Sequence, residues 1–270
     1  MKLAFIGTGN MGGAIIRAVC SAADPQSVTV TNRTMAKAEA VAAACGCKTA
    51  ATNAACAQGS DYIFLGVKPN MIREVLRGIA PVLSDRQVIV SMAAGVTGEA
   101  MREALTDANA QLREIAIVRI LPNTPCAIGK GLMLIAPCNA AAQAHCAPLA
   151  ELLAPCGMVG FTDEAHADAG MVIGGCTPAF AYMFVEALAD GAVRCGLSRS
   201  DALAWAAQSV AGAAELLVES GSHPGALKDA VCSPGGSTIE GVSALERGAF
   251  RGTVMDAVST AYAKTRALGK

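Results

Sequence analysis

The chain has 270 residues, of which 53% are hydrophobic, and its formal net charge is -1. A chain of this length buries a substantial core and forms either one large domain or two ordinary ones. The nearly balanced charge excludes the basic surface that nucleic acid binding requires, so we predict no nucleic acid partner.

The cysteines and histidines indicate neither a disulfide framework nor a metal site. The eleven cysteines are an odd number, and no two of them are spaced as Cys-x-x-Cys. The three histidines are scattered and share no ligand spacing with the cysteines. We therefore expect reduced, mostly buried thiols in a cytoplasmic protein, and we predict no metal site.

Two apolar stretches need to be distinguished from targeting or membrane segments. The first, before Gly7, is too short for the apolar region of a signal peptide, which favours a cytoplasmic protein. The second, residues 169–185, carries no charge but contains Pro178 and two adjacent glycines. It is at the short limit for a membrane span, so we interpret it as a helix buried on all sides at a subunit interface and predict no membrane partner.

Short runs rich in Val and Ile alternate with alanine-rich stretches from Met1 to about Phe161. The predicted strands are KLAFIG, SVTVTN, DYIFLGV, QVIVSMA, IAIVRIL, GLMLIA and GMVGF. Strands and helices that alternate in this way predict a parallel sheet covered by helices on both faces. After Asp163 only helical periodicity remains, with Ser198 as a predicted N-cap and Gly221 as a predicted helix end.

The change of pattern near Thr162 predicts an α/β protein of two domains. Residues 1–162 would form an N-terminal Rossmann-type domain with a doubly wound parallel sheet that binds a dinucleotide. Residues 163–270 would form an all-α C-terminal domain. Its helices carry too few charges for the exposed face of a monomer, which predicts a dimer or a multiple of one.

The first chemical motif follows the first predicted strand and opens an alanine-rich helix. Its spacing is Gly-x-Gly-x-x-Gly, in which the glycines allow a tight turn, the approach of a pyrophosphate and the packing of helix on strand. The amides of the helix N-terminus would face the phosphate charge. The alternative is that the three glycines only form a turn. The predicted cofactor-binding residues here are Gly7, Thr8, Gly9, Asn10, Met11 and Gly12.

The end of the second predicted strand indicates which dinucleotide binds. A chain that binds NAD usually has Asp or Glu at this point, whereas this chain has Asn32 and Arg33. A planar guanidinium matches a 2'-phosphate, so the predicted cofactor is NADPH, with NADH as a weaker alternative. The other interpretation of Arg33 is a solvated residue before a helix capped by Thr34.

Three further strand ends point to the same crevice. They are LGVKPN, SMAAGV and RILPNTPCAIGKG, and open parallel sheets bind ligands at the carboxyl ends of their strands. Prolines on both sides of Asn123 and Thr124 make the last segment rigid. The alternative for each of these three strand ends is a turn that binds no ligand. These segments add the predicted cofactor-binding residues Val67, Lys68, Pro69, Ala93, Ala94, Gly95 and Asn123.

In this order, from Lys2 to about Leu268, the motifs resemble those of the pyrroline-5-carboxylate reductase family. They are the glycine fingerprint, Asn-Arg, VKP, SMAAG, PNTP, and SPGGST near the end of a helical half. The most specific is LKDAVCSPGGSTIEG, residues 227–241. The resemblance implies a reductase of proline biosynthesis, which transfers a hydride from NADPH to the imine carbon of 1-pyrroline-5-carboxylate and forms L-proline.

The resemblance also implies what the SPGGST loop does. Its backbone amides and hydroxyls would hold the substrate carboxylate, because glycines expose N–H groups and a helix N-terminus attracts an anion. Thr238 would place its hydroxyl near the imine nitrogen and is the predicted catalytic residue. A flexible connector between helices is the alternative. The implied substrate-binding residues are Ser233, Gly235, Gly236, Ser237, Thr238, Cys176 and Thr177.

Residues 174–180 depart from the family, which typically has Ser-Gly-Ser-Gly-Pro-Ala-Tyr where this chain has GGCTPAF. Cys176 and Thr177 would replace some of the lost hydrogen bonds, whereas Phe180 cannot donate one. Two alternatives therefore stay open: a paralogue that reduces another cyclic imine or a keto acid, and a non-catalytic NADP-binding regulator. A nucleophilic Cys176 is less favoured than a packed thiol, since no histidine is near it in the sequence.

The resemblance finally implies an assembly. Its helical domain would build an intertwined homodimer that takes a small substrate with a carboxylate. Five dimers in a ring occur among relatives, so a decamer is the larger assembly that the resemblance suggests.

Overall fold

The computed structural model describes residues 1–268. The chain divides into two compact units. The larger unit comprises the residues from Met1 to Cys176 and those from Ala261 onward, and the smaller unit runs from Thr177 to Thr260. The predicted domain boundary near Thr162 stays a prediction.

The larger unit is built on one sheet of eight strands, in the order β3-β2-β1-β4-β5-β6-β7-β8. From β1 the chain first builds outward to β3 and then returns to β4 on the other side. The pair β1 and β4 is therefore the point at which the strand order reverses, where such sheets bind ligands. The strands are β1 (Leu3–Ile6), β2 (Val28–Thr31), β3 (Lys48–Thr49), β4 (Tyr62–Leu65), β5 (Val88–Ser91), β6 (Ala116–Pro122), β7 (Gly131–Pro137) and β8 (Gly157–Phe161).

Eleven α-helices accompany the sheet in the described part of the chain. Helix α8 begins as predicted, because the Ser198 side chain accepts a hydrogen bond from the Asp201 amide, and it ends at Gly221 in the left-handed conformation. The helices are α1 (Asn10–Ala22), α2 (Met35–Cys45), α3 (Asn53–Ala57), α4 (Ile72–Ile79), α5 (Gly98–Thr106), α6 (Cys146–Leu153), α7 (Ala167–Arg194), α8 (Arg199–Ser220), α9 (Pro224–Ala230), α10 (Ser237–Arg247) and α11 (Phe250–Leu268).

Apolar residues cover both faces of the sheet, as the unbroken apolar runs predicted. On β1, Leu3 and Phe5 belong to one buried cluster, and Ala4 and Ile6 belong to the cluster on the opposite face. Successive side chains of a strand point to opposite faces, so all four must be apolar when both faces are covered. The ring of Phe5 stacks on that of Phe64 in β4 with the ring centroids 4.3 Å apart.

The predicted parallel sheet is confirmed except at one pair, since β7 runs antiparallel to β6. The connection between these strands covers only residues 123–130, and a parallel connection needs a crossover of a dozen or more residues. The prediction also missed β3, whose two residues are both exposed and too few to show a strand pattern.

Helix α7 is mostly exposed within the single chain, so its predicted burial at a subunit interface stays a prediction. Only 11% of its most apolar 18-residue stretch is buried. By length and composition alone the helix is long and apolar enough to cross a membrane. Large apolar side chains of the smaller unit are exposed on α7 and on α8, including Met183 at 69% and Trp205 at 58%. Apolar surface of this extent marks an interaction site.

The eleven cysteines are all free, but only four of them are buried, so the expectation of mostly buried thiols is wrong. The buried ones are Cys56, Cys126, Cys146 and Cys156.

Candidate active site

The predicted cofactor-binding residues follow strands that are neighbours in the sheet. Strands β2, β1, β4, β5 and β6 lie side by side and run parallel. The turns after their last residues therefore meet at one edge of the sheet. The structure brings together at this edge the glycine turn, the Asn-Arg pair, VKP, the Ala-Ala-Gly turn and Asn123.

The three fingerprint glycines meet different constraints. Gly7 has a φ of +107°, and a Cβ built on it would lie 2.4 Å from the carbonyl oxygen of Gly66. A Cβ on Gly12 would lie 2.4 Å from the carbonyl oxygen of Gly7. These two glycines are therefore required by the packing of β1, β4 and α1.

Gly9 differs, because a Cβ built on it would meet nothing within 4 Å. It is the N-cap of α1 with an extended backbone, and no side chain caps the helix there. The first amides of an α-helix have no partner within the helix. The surface at Gly9 is thus an open, uncapped helix N-terminus, as an approaching pyrophosphate requires.

The two residues of the Asn-Arg pair after β2 differ in their contacts. The Asn32 side chain donates to the hydroxyl of Thr8 over 2.9 Å, which ties the end of β2 to the glycine turn. Arg33 is exposed and makes no hydrogen bond or ion pair within residues 1–268. Thr34 is the N-cap of α2, as the alternative interpretation of Arg33 required, but the Thr34 side chain makes no capping hydrogen bond.

The next two turns present small or exposed residues. After β4, Lys68 is exposed and Pro69 opens a short 3₁₀ turn that leads into α4. After β5, Ala93 is 3% exposed and Gly95 has a φ of +72°. The backbone therefore turns tightly at the sheet edge without a large side chain to cover it.

Asn123, which was predicted to contact the cofactor, uses both polar atoms of its side chain within the fold. Its Nδ2 donates to the carbonyl oxygen of Gly174 over 3.1 Å, and its Oδ1 accepts from the amide of Leu132 over 2.9 Å. The structure thus places Asn123 between the sheet and α7.

The sequence interpretation missed a second link to α7. Arg119 in β6 is only 2% exposed, and its guanidinium lies 3.0 Å from Asp168 Oδ1 and 4.0 Å from Glu164 Oε1. Glu164 in turn accepts a hydrogen bond from the amide of Gly98 over 2.5 Å. Burial, together with the charge of Glu164, raises the pKa of the nearby Cys138 thiol to about 12. A charged residue inside the apolar run IAIVRIL was the signal that such partners exist.

The predicted substrate loop lies in the smaller unit and precedes α10. Gly235 has a φ of +68°, and a Cβ on Gly236 would lie 2.4 Å from the Ser233 hydroxyl. Helix α10 begins at Ser237 with Gly236 as its N-cap, and no side chain caps it. Ser233, Ser237 and Thr238 are exposed, so the loop presents amides and hydroxyls at the start of a helix.

The remaining predicted substrate residues lie on α7. Cys176 is half-buried at the end of the larger unit's first segment, and Thr177 is exposed at the start of the smaller unit.

Two family models match the chain. One, described as pyrroline-5-carboxylate reductase dimerisation, matches residues 164–268. The other, described as NADP oxidoreductase coenzyme F420-dependent, matches residues 2–95.

Solved structures of similar proteins cover the whole chain. A pyrroline-5-carboxylate reductase of Coxiella burnetii has a TM-score of 0.90 at 29% identity, with 100% of this chain and 98% of that chain covered. A pyrroline carboxylate reductase of Plasmodium falciparum with NADP bound has a TM-score of 0.83 at 28% identity and the same coverage. The Rossmann-type α/β domain followed by a helical dimerisation domain is thereby confirmed.

Curated relatives are similar over the same length. Pyrroline-5-carboxylate reductase 3 of Danio rerio is 37% identical over 100% of this chain and 92% of its own length. The pyrroline-5-carboxylate reductase of Escherichia coli is 35% identical over 100% of this chain and 98% of its own length. The chain therefore belongs to the pyrroline-5-carboxylate reductase family.

Proposed function

We propose that the chain reduces 1-pyrroline-5-carboxylate to L-proline, with NADPH as the hydride donor, in proline biosynthesis. The observation that carries this function is the full-length similarity, 37% and 35%, to two relatives named for this reductase. The similar structure from Plasmodium falciparum with NADP bound supports the cofactor. The chain is an NAD(P)H-dependent oxidoreductase that acts on a C=N bond.

The edge of the sheet fits a dinucleotide. The open space at Gly9 leaves room for a pyrophosphate against the uncapped N-terminus of α1. Arg33, which is exposed and has no partner in the described chain, would bind the 2'-phosphate. The turns at residues 67–69 and 93–95 would border the rest of the cofactor.

The loop before α10 fits a carboxylate. Gly235 is exposed and leaves its backbone amide without side-chain cover, whereas the Gly236 amide donates to the Ser233 carbonyl oxygen over 3.0 Å. The N-terminus of α10 adds a positive partial charge. Ser233 and Ser237 supply exposed hydroxyls for the same anion. Thr238 would donate its hydroxyl to the imine nitrogen or accept a hydrogen bond from it once protonated.

The chemistry asks the chain for orientation more than for acid or base catalysis. NADPH, when bound, supplies the hydride that the imine carbon accepts. A protonated imine is already a good hydride acceptor, so no histidine or buried carboxylate is required. The residues of the chain bind the two reactants and hold the imine at a fixed angle, which is a major source of rate acceleration.

The test follows NADPH consumption by the purified protein with synthetic 1-pyrroline-5-carboxylate. Thr238→Ala should lower kcat by about tenfold to a hundredfold, which is the loss of a transition-state hydrogen bond of about 1.5–3 kcal/mol. Thr253→Ala is the matched control, because Thr253 is an exposed threonine of α11 in the same unit. Equal effects of the two variants would contradict the role of Thr238.

A second candidate is the reduction of another cyclic imine. The observation that favours it is the sequence GGCTPAF at residues 174–180, which lacks the hydroxyls typical of the family. Fast turnover of a different ring size and slow turnover of 1-pyrroline-5-carboxylate would support it. NADPH binding without turnover of any imine would instead support a non-catalytic regulator.

We further propose a homodimer built by the smaller unit, with five dimers in a ring as the larger assembly, in the cytoplasm. The exposed apolar side chains of that unit support association. Light scattering on a sizing column should give at least twice the chain mass of 27.2 kDa. A monomer would contradict the proposed dimer.

A further inference from the structure

Helix α7 contains a proline, and the proline leaves one helix carbonyl without its usual donor. In an α-helix the N–H of residue i bonds the carbonyl of residue i−4. Pro178 lies inside α7 and has no N–H, so the carbonyl of Gly174 loses this partner. Gly174 is buried, and a buried carbonyl without a hydrogen bond is costly.

Asn123 provides the missing donor. Its Nδ2 lies 3.1 Å from the carbonyl oxygen of Gly174. The other end of the same amide, Oδ1, accepts from the Leu132 amide at the start of β7 over 2.9 Å. The side chain therefore joins three segments: the turn after β6, the first residues of β7 and the buried turn of α7.

The packing around this hydrogen bond shows how closely α7 is held to β7. A Cβ built on Gly170 would lie 2.4 Å from Leu134 Cδ1, and a Cβ on Gly174 would lie 3.6 Å from Leu132 Cδ2. Glycine at 170 thus lets the helix backbone approach the strand, whereas a Cβ at 174 would make only an ordinary van der Waals contact. A short side chain such as asparagine can then reach the helix carbonyl from the neighbouring turn.

We infer that Asn123 is a positioning residue: it replaces the donor that Pro178 lacks and holds the turn of α7 that ends at Cys176. The prediction that Asn123 binds the cofactor is the competing interpretation, which the NADPH affinity of an Asn123→Ala variant tests. The effect of Asn123 on catalysis rests on the proposed function and on the substrate contact of Cys176 that the family resemblance implies. Its effect on the helix does not depend on that function.

The test is a double-mutant cycle with Asn123→Ala and Pro178→Ala. Pro178→Ala restores an N–H that can bond the Gly174 carbonyl within the helix. In the natural background Asn123→Ala leaves two groups without their side-chain partner, the Gly174 carbonyl and the Leu132 amide. In the Pro178→Ala background it leaves only the Leu132 amide. We expect Asn123→Ala to lower the melting temperature by about 4–10 °C in the first background and by about half as much in the second.

Asn139 is the matched control. Its side chain also bridges two segments of the larger unit, donating to the Ile115 carbonyl over 2.7 Å and accepting from the Ile117 amide over 3.3 Å. None of its partners is on α7. Asn139→Ala should lower the melting temperature equally in both backgrounds.

Kinetics separate positioning from cofactor binding. We expect Asn123→Ala to lower kcat/KM for the imine about tenfold and to leave the Kd of NADPH within twofold, with part of the loss recovered by Pro178→Ala. A tenfold weaker Kd for NADPH would overturn the inference, and so would an equal fall in melting temperature in both backgrounds. If the protein does not turn over the imine but the melting temperatures show coupling, the proposed function fails and the inference stands.

An unstable Asn123→Ala variant does not end the test. Asn123→Asp keeps the acceptor for Leu132, removes the donor to Gly174 and adds a negative charge that is the same in both backgrounds. It is compared in the same two backgrounds, and its destabilisation should again be smaller with Pro178→Ala. Equal destabilisation would overturn the inference.

Discussion

Replacing Gly9 by alanine separates a glycine needed by the cofactor from glycines needed by the fold. A methyl group at this position would meet no atom of the chain within 4 Å, and the φ of -69° is ordinary for alanine. Alanine is a poorer N-cap than glycine by up to about 1 kcal/mol, and the stiffer unfolded chain returns about 0.4–1 kcal/mol. The free energy of unfolding should therefore change by less than about 1 kcal/mol.

The same methyl group would occupy the space that the pyrophosphate needs. We expect Gly9→Ala to weaken NADPH binding at least tenfold, which corresponds to about 1.4 kcal/mol. Gly12→Ala is the control for packing. Its methyl group would lie 2.4 Å from a backbone carbonyl oxygen, so it should destabilise the protein by about 1–3 kcal/mol or more.

The assay measures the melting temperature without cofactor and the Kd of NADPH by nucleotide fluorescence. Gly9→Ala should change the melting temperature by less than about 4 °C and the Kd by more than tenfold. Unchanged NADPH affinity would refute the reasoning, because the pyrophosphate would then not approach Gly9. A fall in melting temperature as large as that of Gly12→Ala would show that Gly9 is a packing residue.

Three further predictions concern the Arg119 ion pair, the 2'-phosphate contact of Arg33 and the buried Cys56 thiol. Arg119→Ala should lower the free energy of unfolding in urea by about 3–5 kcal/mol, because it leaves Asp168 without its buried partner. Arg77→Ala, whose ion pair with Asp107 is half-exposed, should cost less than about 1 kcal/mol, and equal losses would contradict the importance of burial. Arg33→Asp should weaken NADPH binding far more than NADH binding without changing the melting temperature, and equal loss with both cofactors would mean that Arg33 is structural. Burial raises the pKa of Cys56 to about 12, so above pH 9 the unfolded chain loses a thiol proton that the folded chain keeps. The melting temperature of the natural chain should therefore fall between pH 9 and 11. The melting temperature of Cys56→Ala should fall less over the same range.

The parts of the fold that the sequence predicts are those set by local pattern. The runs that became β1 and β4 are apolar at every position, as a sheet covered on both faces requires. The cap at Ser198 and the stop at Gly221 were predictable because each depends on a single side chain or a single φ angle. The direction of β7 was not predicted, although the short connection after β6 carried that information.

The candidate site was predictable where backbone shape decides and less so where tertiary contacts decide. The position of the glycine turn follows from the strand before it and the helix after it. The role of Asn123 depends on a carbonyl 51 residues away, and the only sign of it in the sequence was Pro178 inside a predicted helix. Arg119 was overlooked although a charge within an apolar strand needs a buried partner, and that partner lies on α7.

The exposure of α7 shows a further limit of sequence patterns. An apolar run indicates that a helix avoids water, but it does not tell what covers the helix. Within the chain most of this surface is open. Whether it is covered by another copy of the chain is decided by the sizing measurement and not by the pattern.

The most direct test of the central claim traces the hydride. The purified protein is given 1-pyrroline-5-carboxylate and NADPH that carries deuterium at the transferred position of the nicotinamide, and the product is examined by mass spectrometry and NMR. Hydride transfer to the imine carbon predicts L-proline with one deuterium at C5. Consumption of NADPH without labelled proline, or no turnover by a protein that binds NADPH, would contradict the assignment.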